Sequence, residues 1–159
     1  MPTDDHAAIF RLQRAYADVV SRMAFAELGE LFVPDIRLLM ELPGRPKELV
    51  GPQAFGEYIA RRVAHLEFFQ FVLTNAVAEL AADDGNRAHG HMHFHELHQD
   101  REHHRLRTLY GLYRDEYVRV DGRWWFAHRR FAPLAMTSSD DSRDLDVFPN
   151  PLLSAPPSR

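Results

Sequence analysis

At 159 residues with 45% hydrophobic side chains, the chain fits one domain with a real core. A net charge of -4 without a basic stripe gives no reason to expect nucleic acid, and the absence of cysteine excludes disulfides and thiolate chemistry. The acidic opening MPTDDHAAIF lacks an apolar signal core and no apolar run approaches membrane-spanning length, so a cytoplasmic protein with no membrane partner is expected.

Thr3 followed by Asp4 and Asp5 reads as a helix start, with a hydroxyl cap and carboxylates at the positive end of the dipole. Ile9, Leu12, Tyr16, Val19, Val20 and Met23 then recur at helical spacing, which predicts a helix of about five turns with one buried face. A second short helix carries Phe25, Leu28 and Leu31 up to Pro34. Asp35 to Met40 fits a strand, and Glu41 to Lys47 fits a loop set by its prolines and glycine. Pro52 suits a first-turn position and opens a helix through Phe55, Tyr58, Ile59, Arg62, Val63 and Leu66. Phe68 to Leu80 is rich in strand formers, and strict alternation puts Phe69, Phe71, Leu73, Asn75 and Val77 on one face.

After a turn at Asp83 to Asn86, the strand Arg87 to Gln99, extended to His104, holds seven of the ten histidines. Its faces differ: Ala88, Gly90, Met92, Phe94, Glu96 and His98 on one, His89, His91, His93, His95 and Leu97 on the other. Histidines two apart on a strand face stand about 7 Å from each other, which suits a His-x-His metal pair, yet no carboxylate or cysteine is fixed nearby by spacing. No native metal is therefore expected. Asp100 to Arg107 is a charged loop. Leu109 to Phe131 reads as two strands joined at Asp121-Gly122, a pair that tolerates the positive φ of a tight turn. Gly111, Tyr113, Asp115 and Tyr117 share one face of the first strand. In the second, alternation gives Arg129 the face of Trp125, so a bulge must turn it inward if it is to serve a cavity. A buried ion pair with Asp115 or Glu116 is the other reading of Arg129. Residues 137–159 form a polar, proline-rich tail beyond a single domain at 1–136, with Phe148, Leu152 and Leu153 available for docking.

The series Gly111, Tyr113, Asp115, Arg119, Asp121, Gly122, Trp124, Phe126, Ala127, Arg129 and Arg130 resembles the closing hairpin of SnoaL-like proteins, relatives of scytalone dehydratase within the nuclear-transport-factor-2-like superfamily. AYADVVSRMAFAELGELF resembles the same family's first segment. The resemblance implies an α+β fold: a cone-shaped, curved mixed β-sheet wrapped around three N-terminal helices, with the Pro52 helix as a lid over the mouth. It also implies a cofactor-independent lyase, isomerase, cyclase or epoxide hydrolase acting on an apolar, ring-bearing small molecule. Where family enzymes carry an acid, a tyrosine and a histidine, this chain has Ser21, Met40 and Phe71, none of which replaces an acid/base pair.

By the same resemblance, the face bearing Ala88 lines the cavity. His98, Tyr113 and Asp115 are then the catalytic candidates, because an imidazole held by a carboxylate moves protons near neutrality. Tyr16, Phe71, Asn75, Met92, Phe94, Glu96, Trp124 and Arg129 are the candidate substrate contacts. A rival reading is a non-catalytic ligand-binding or accessory subunit, similar to the small subunit of ring-hydroxylating dioxygenases. A third, a metal-binding protein, rests on the His89 to His95 ladder alone. That ladder, with Tyr110, Leu112 and Trp125, makes a face too aromatic for a free surface, so a homodimer is expected.

Overall fold

The computed structural model describes residues 4–137 and 145–149. Helix α1, Asp4–Ser21, buries Ile9, Leu12, Gln13, Tyr16, Val19 and Val20 on one stripe, as the spacing requires. Thr3, the expected cap, lies outside the described residues. The helix stops because Met23 turns left-handed, with φ of 55°. Met23 N–H then donates to Val20 and Ala24 N–H to Val19, both at 3.0 Å, which satisfies two of the last carbonyls. A 310 turn, Phe25–Glu30, follows.

Strand β1, Phe32–Met40, and β2, Lys47–Val50, form a short antiparallel pair, and α2, Pro52–Val63, packs beside them. Three long strands come next: β3, Leu66–Leu80, β4, Arg87–Asp100, and β5, Leu106–Val120. Strand β6, Arg123–Thr137, returns through the expected hairpin, where Asp121 and Gly122 both adopt positive φ, 49° and 77°. The sheet order is β2-β1-β6-β5-β4-β3, antiparallel except where β1 runs parallel to β6. This is the α+β fold expected, a curved, unclosed mixed sheet against N-terminal helices.

A seventh strand, β7, Leu145–Val147, pairs with β6, and Phe148 N–H donates to Leu134 at 2.9 Å. Part of the segment assigned to the tail therefore adds to the sheet edge through backbone bonds. Leu152 and Leu153 lie outside the described residues. Among the described residues no helix is long and apolar enough to cross a membrane.

Two bulges decide which side chains reach the concave face. In β3, Leu73 opposes Phe94 and Asn75 opposes His93, so Thr74 is the extra residue. Every position after it changes sides. Asn75, expected beside Phe71 on the inner face, is consequently exposed on the outer one, and Ala78 takes the inner position. In β6, Phe126 opposes Tyr117 and His128 opposes Glu116, which makes Ala127 the extra residue. This is the bulge that brings Arg129 inward, into full burial.

The interior is packed with rings. Phe94 stacks between Phe71, at 4.8 Å, and Tyr113, at 4.5 Å. Gly111 lies directly under Phe94, where an added Cβ would come within 2.3 Å of the ring. Gly111→Ala is therefore expected to destabilise the fold by about 1–3 kcal/mol, the range for overpacking a close-fitted core. Thermal unfolding that leaves the midpoint unchanged would contradict this packing.

Candidate active site

The concave face carries a buried charge pair with two layers of polar contacts. Arg129 Nε and Nη2 donate to the two Asp115 carboxylate oxygens at 2.7 and 2.9 Å, and neither side chain reaches solvent. The guanidinium carbon sits 4.0 Å from the Tyr113 ring centre, 4.1 Å from Tyr16 and 4.5 Å from Phe126. Tyr117 donates to Asp115 at 3.3 Å and accepts from Gln13 Nε2 at 2.8 Å. Of the two sequence readings of Arg129, the ion pair with Asp115 is the one present.

Above this pair the Tyr16 hydroxyl donates to Tyr113 at 3.0 Å. Burial pushes the Tyr16 phenol up to about 12 and Tyr113 well above its usual value, so both stay protonated and serve as donors. The two rings open onto a small pocket of about 20 Å³, room for roughly one water. Met40, Phe131 and Glu96 border it from the sheet, and Phe55, Tyr58 and Arg62 close it from α2. Glu96 is half-buried and, among the described residues, its carboxylate makes no hydrogen bond or ion pair. Loss of solvent raises its pKa above the ordinary 4.5, with the Arg62 charge pulling the other way.

A model of the SnoaL-like domain matches residues 2–130. The chain belongs to the SnoaL-like family. A protein from Novosphingobium aromaticivorans provisionally assigned as a scytalone dehydratase is 22% identical over 84% of this chain and 86% of its own, with a TM-score of 0.71. A type 2 hexachlorocyclohexane dehydrochlorinase, LinA, is 19% identical over 98% and 95%, at 0.69. The type 3 LinA of Novosphingobium barchaimii is 21% identical over 81% and 86%, at 0.68. At these identities the likeness is one of fold. No curated protein matches the chain.

In this SnoaL-like domain the three catalytic candidates do not meet. Strand β4 pairs Gly90 with Asp115, Met92 with Tyr113 and His98 with Arg107. Six residues of extended chain separate the levels of His98 and Tyr113, about 20 Å along the strand. His98 is thus removed from Tyr113 and further still from Asp115, and it lines a separate groove. Among the substrate candidates, Tyr16 and Glu96 border the inner pocket, while Phe71, Met92 and Phe94 pack in the core. Trp124 sits at the opposite end, donating to Asp5 at 3.0 Å. The SnoaL-like positions Ser21 and Phe71 are neighbours, joined by a Ser21 hydroxyl bond to the Phe71 carbonyl at 3.1 Å. That contact ties α1 to β3 and moves no proton.

Sequence reasoning missed Gln13, whose position inside the apolar stripe of α1 was the available signal. It also gave Arg62 no role beyond the lid helix. On the outer face His91 and His93 meet edge to face at 5.6 Å, and among the described residues no group of three or more potential ligands converges on a metal site.

His98 is pushed down to about 4, first by loss of solvent and then by Arg62, Arg107 and His65. Between pH 6.5 and about 4 the unfolded chain therefore takes up a proton here that the folded chain refuses, and stability falls as pH is lowered. Thermal midpoints across that window are expected to drop less in His98→Gln than in the unsubstituted protein. Parallel curves would contradict the assignment.

Proposed function

We propose that the chain is an acid/base catalyst of the lyase or isomerase kind, acting on an apolar, ring-bearing small molecule, and that Glu96 moves the proton. The observation that carries this is an unpartnered, desolvated carboxyl beside two buried phenols at the mouth of an apolar interior. Because Tyr16 donates to Tyr113, the Tyr113 proton is free to be offered to a ligand oxygen. The Glu96 carboxylate would take a proton from carbon next to a carbonyl, breaking the C–H bond, while Tyr113 bonds to the oxygen on which charge develops. Returning the proton elsewhere gives an isomerase; loss of a leaving group gives a lyase.

Ring-bearing ligands need a pocket of about 300 Å³ or more, so α2 must swing out to admit one. Its packing is with the 310 turn, β1 and β2. The experiment is solvent deuterium wash-in at the α-carbon of cyclic ketones and enones, followed by NMR. Exchange well above the buffer rate is expected. The closed interior favours one rival, a non-catalytic accessory module, and exchange at the buffer rate across the panel would support that rival.

We further propose a homodimer through the outer sheet face, where His95 meets Tyr110 at 6.1 Å and His91 is held below its usual pKa, chiefly by loss of solvent. Charging the His91 imidazole as pH falls is expected to loosen the dimer. Light scattering checks this, and a monomer at micromolar concentration, or equal tightness at about pH 5 and about pH 8, would contradict it.

A further inference from the structure

Helix α2 is lightly held over the inner pocket. Of its twelve residues two, Phe55 and Gly56, are buried, so little apolar packing opposes its opening. The pocket beneath it is lined by eleven residues, and two of them are charged, with opposite signs: Arg62 on the helix and Glu96 on β4. Tyr16 from α1 and Tyr113 from β5 face the same space as neutral phenols. His98, further along β4, lines a separate groove.

Because the space is about 20 Å³, the two charged side chains border a gap that takes roughly one water. Among the described residues neither side chain has an ion pair or hydrogen bond of its own. The Arg62 guanidinium stands over the ring of Tyr58, one turn earlier, at 5.9 Å, and Lys47 of β2 stands over the same ring at 5.0 Å, which ties this stretch of α2 to the sheet rim. Opposite charges bordering one small, half-dry space attract more strongly than on an open surface, and a bridging water carries such a bond nearly as well as direct contact. We propose that Arg62 is a positioning residue for Glu96: the two pair through a single water, which latches α2 shut and supplies the positive charge the carboxylate needs once solvent is excluded. Swinging α2 out to admit a ligand withdraws that charge, and closing it over the ligand restores the charge together with the dry pocket. The proposal rests on Glu96 being the base, yet the pairing itself is measured without a substrate.

The test uses the full chain with Arg62→Gln, Arg62→Lys, Glu96→Gln and the double variant Arg62→Gln with Glu96→Gln. Arg62 is exposed and Glu96 half-buried, so these variants are expected to fold. Removing the cation removes what favours the charged form, so the Glu96 carboxyl, read by carbon NMR, is expected to titrate at higher pH in Arg62→Gln and near its original midpoint in Arg62→Lys. Amide hydrogen exchange along α2 at neutral pH should quicken about two- to fivefold in Arg62→Gln, the range for an ion pair partly open to solvent. Glu96→Gln leaves the Tyr58 contact of Arg62 in place, so a matching acceleration there belongs to the pair, and the double variant should add nothing to either single change. An unchanged Glu96 midpoint in Arg62→Gln, unchanged exchange of α2 in Glu96→Gln, or additive effects in the double variant would overturn the proposal. Loss of turnover in Glu96→Gln with α2 unchanged would remove the latch and keep the base; faster exchange of α2 with no turnover of any ketone or enone would keep the latch and remove the base.

Discussion

Glu96→Gln is expected to lower turnover by about 10²- to 10⁴-fold, the usual effect of removing a general base. The amide keeps the size of the side chain and its place beside Met40, Tyr113 and Phe131, so KM should stay within a few-fold while kcat falls. Because the carboxylate is the acting form, kcat/KM should rise with pH through the raised Glu96 pKa and then level off. Tyr113→Phe should cost less, since it removes one hydrogen bond and keeps the stacked ring. Asn75→Ala, on the outer face, should leave turnover unchanged. A Glu96→Gln variant that turns over at the original rate would remove the proposed role.

Asp115→Ala is expected to destabilise the fold by about 3–5 kcal/mol, because it leaves the Arg129 guanidinium buried without its partner. For a domain of this length that corresponds to a drop in thermal midpoint of roughly 6–20 °C. Two further bonds deepen the loss: Tyr117 gives up its acceptor, and the Gln13 contact to that hydroxyl loses its anchor. Replacing both charges, as in Asp115→Leu with Arg129→Met, should recover much of the stability, since apolar pairs of similar volume often match a buried ion pair. If the single substitution shifts the midpoint by only a degree or two, the pair is not what holds the sheet interior together.

Much of this fold is written in local pattern. The stripe of α1, the Asp121-Gly122 turn and the unlike faces of β4 follow from side-chain period and turn chemistry, and each is present. The two bulges were harder to read because an extra residue has no composition of its own. Thr74 and Ala127 look like ordinary strand residues, yet they move Asn75 out and Arg129 in. A bulge inside β6 was legible only as a condition on Arg129. The misplacement of His98 has a different origin, since the information was there. The short turn after Asp100 fixes the β4–β5 register, and counting outward from it puts His98 opposite Arg107 and Met92 opposite Tyr113. Glu96, two residues nearer on the same face, is the group that reaches the pocket. What alternation cannot supply is closure of the mouth, because Phe55, Tyr58 and Arg62 reach it only through the packing of α2 against β1 and the 310 turn.

The reading of the pocket as a proton-moving site depends on Glu96 being a desolvated, poised carboxyl, and that can be measured without any substrate. Titration of the Glu96 side-chain carboxyl carbon by NMR, assigned through Glu96→Gln, is expected to give an apparent pKa clearly above the ordinary glutamate value of 4.5. A midpoint at or below 4.5 would show a solvated side chain, and the site would lose its base.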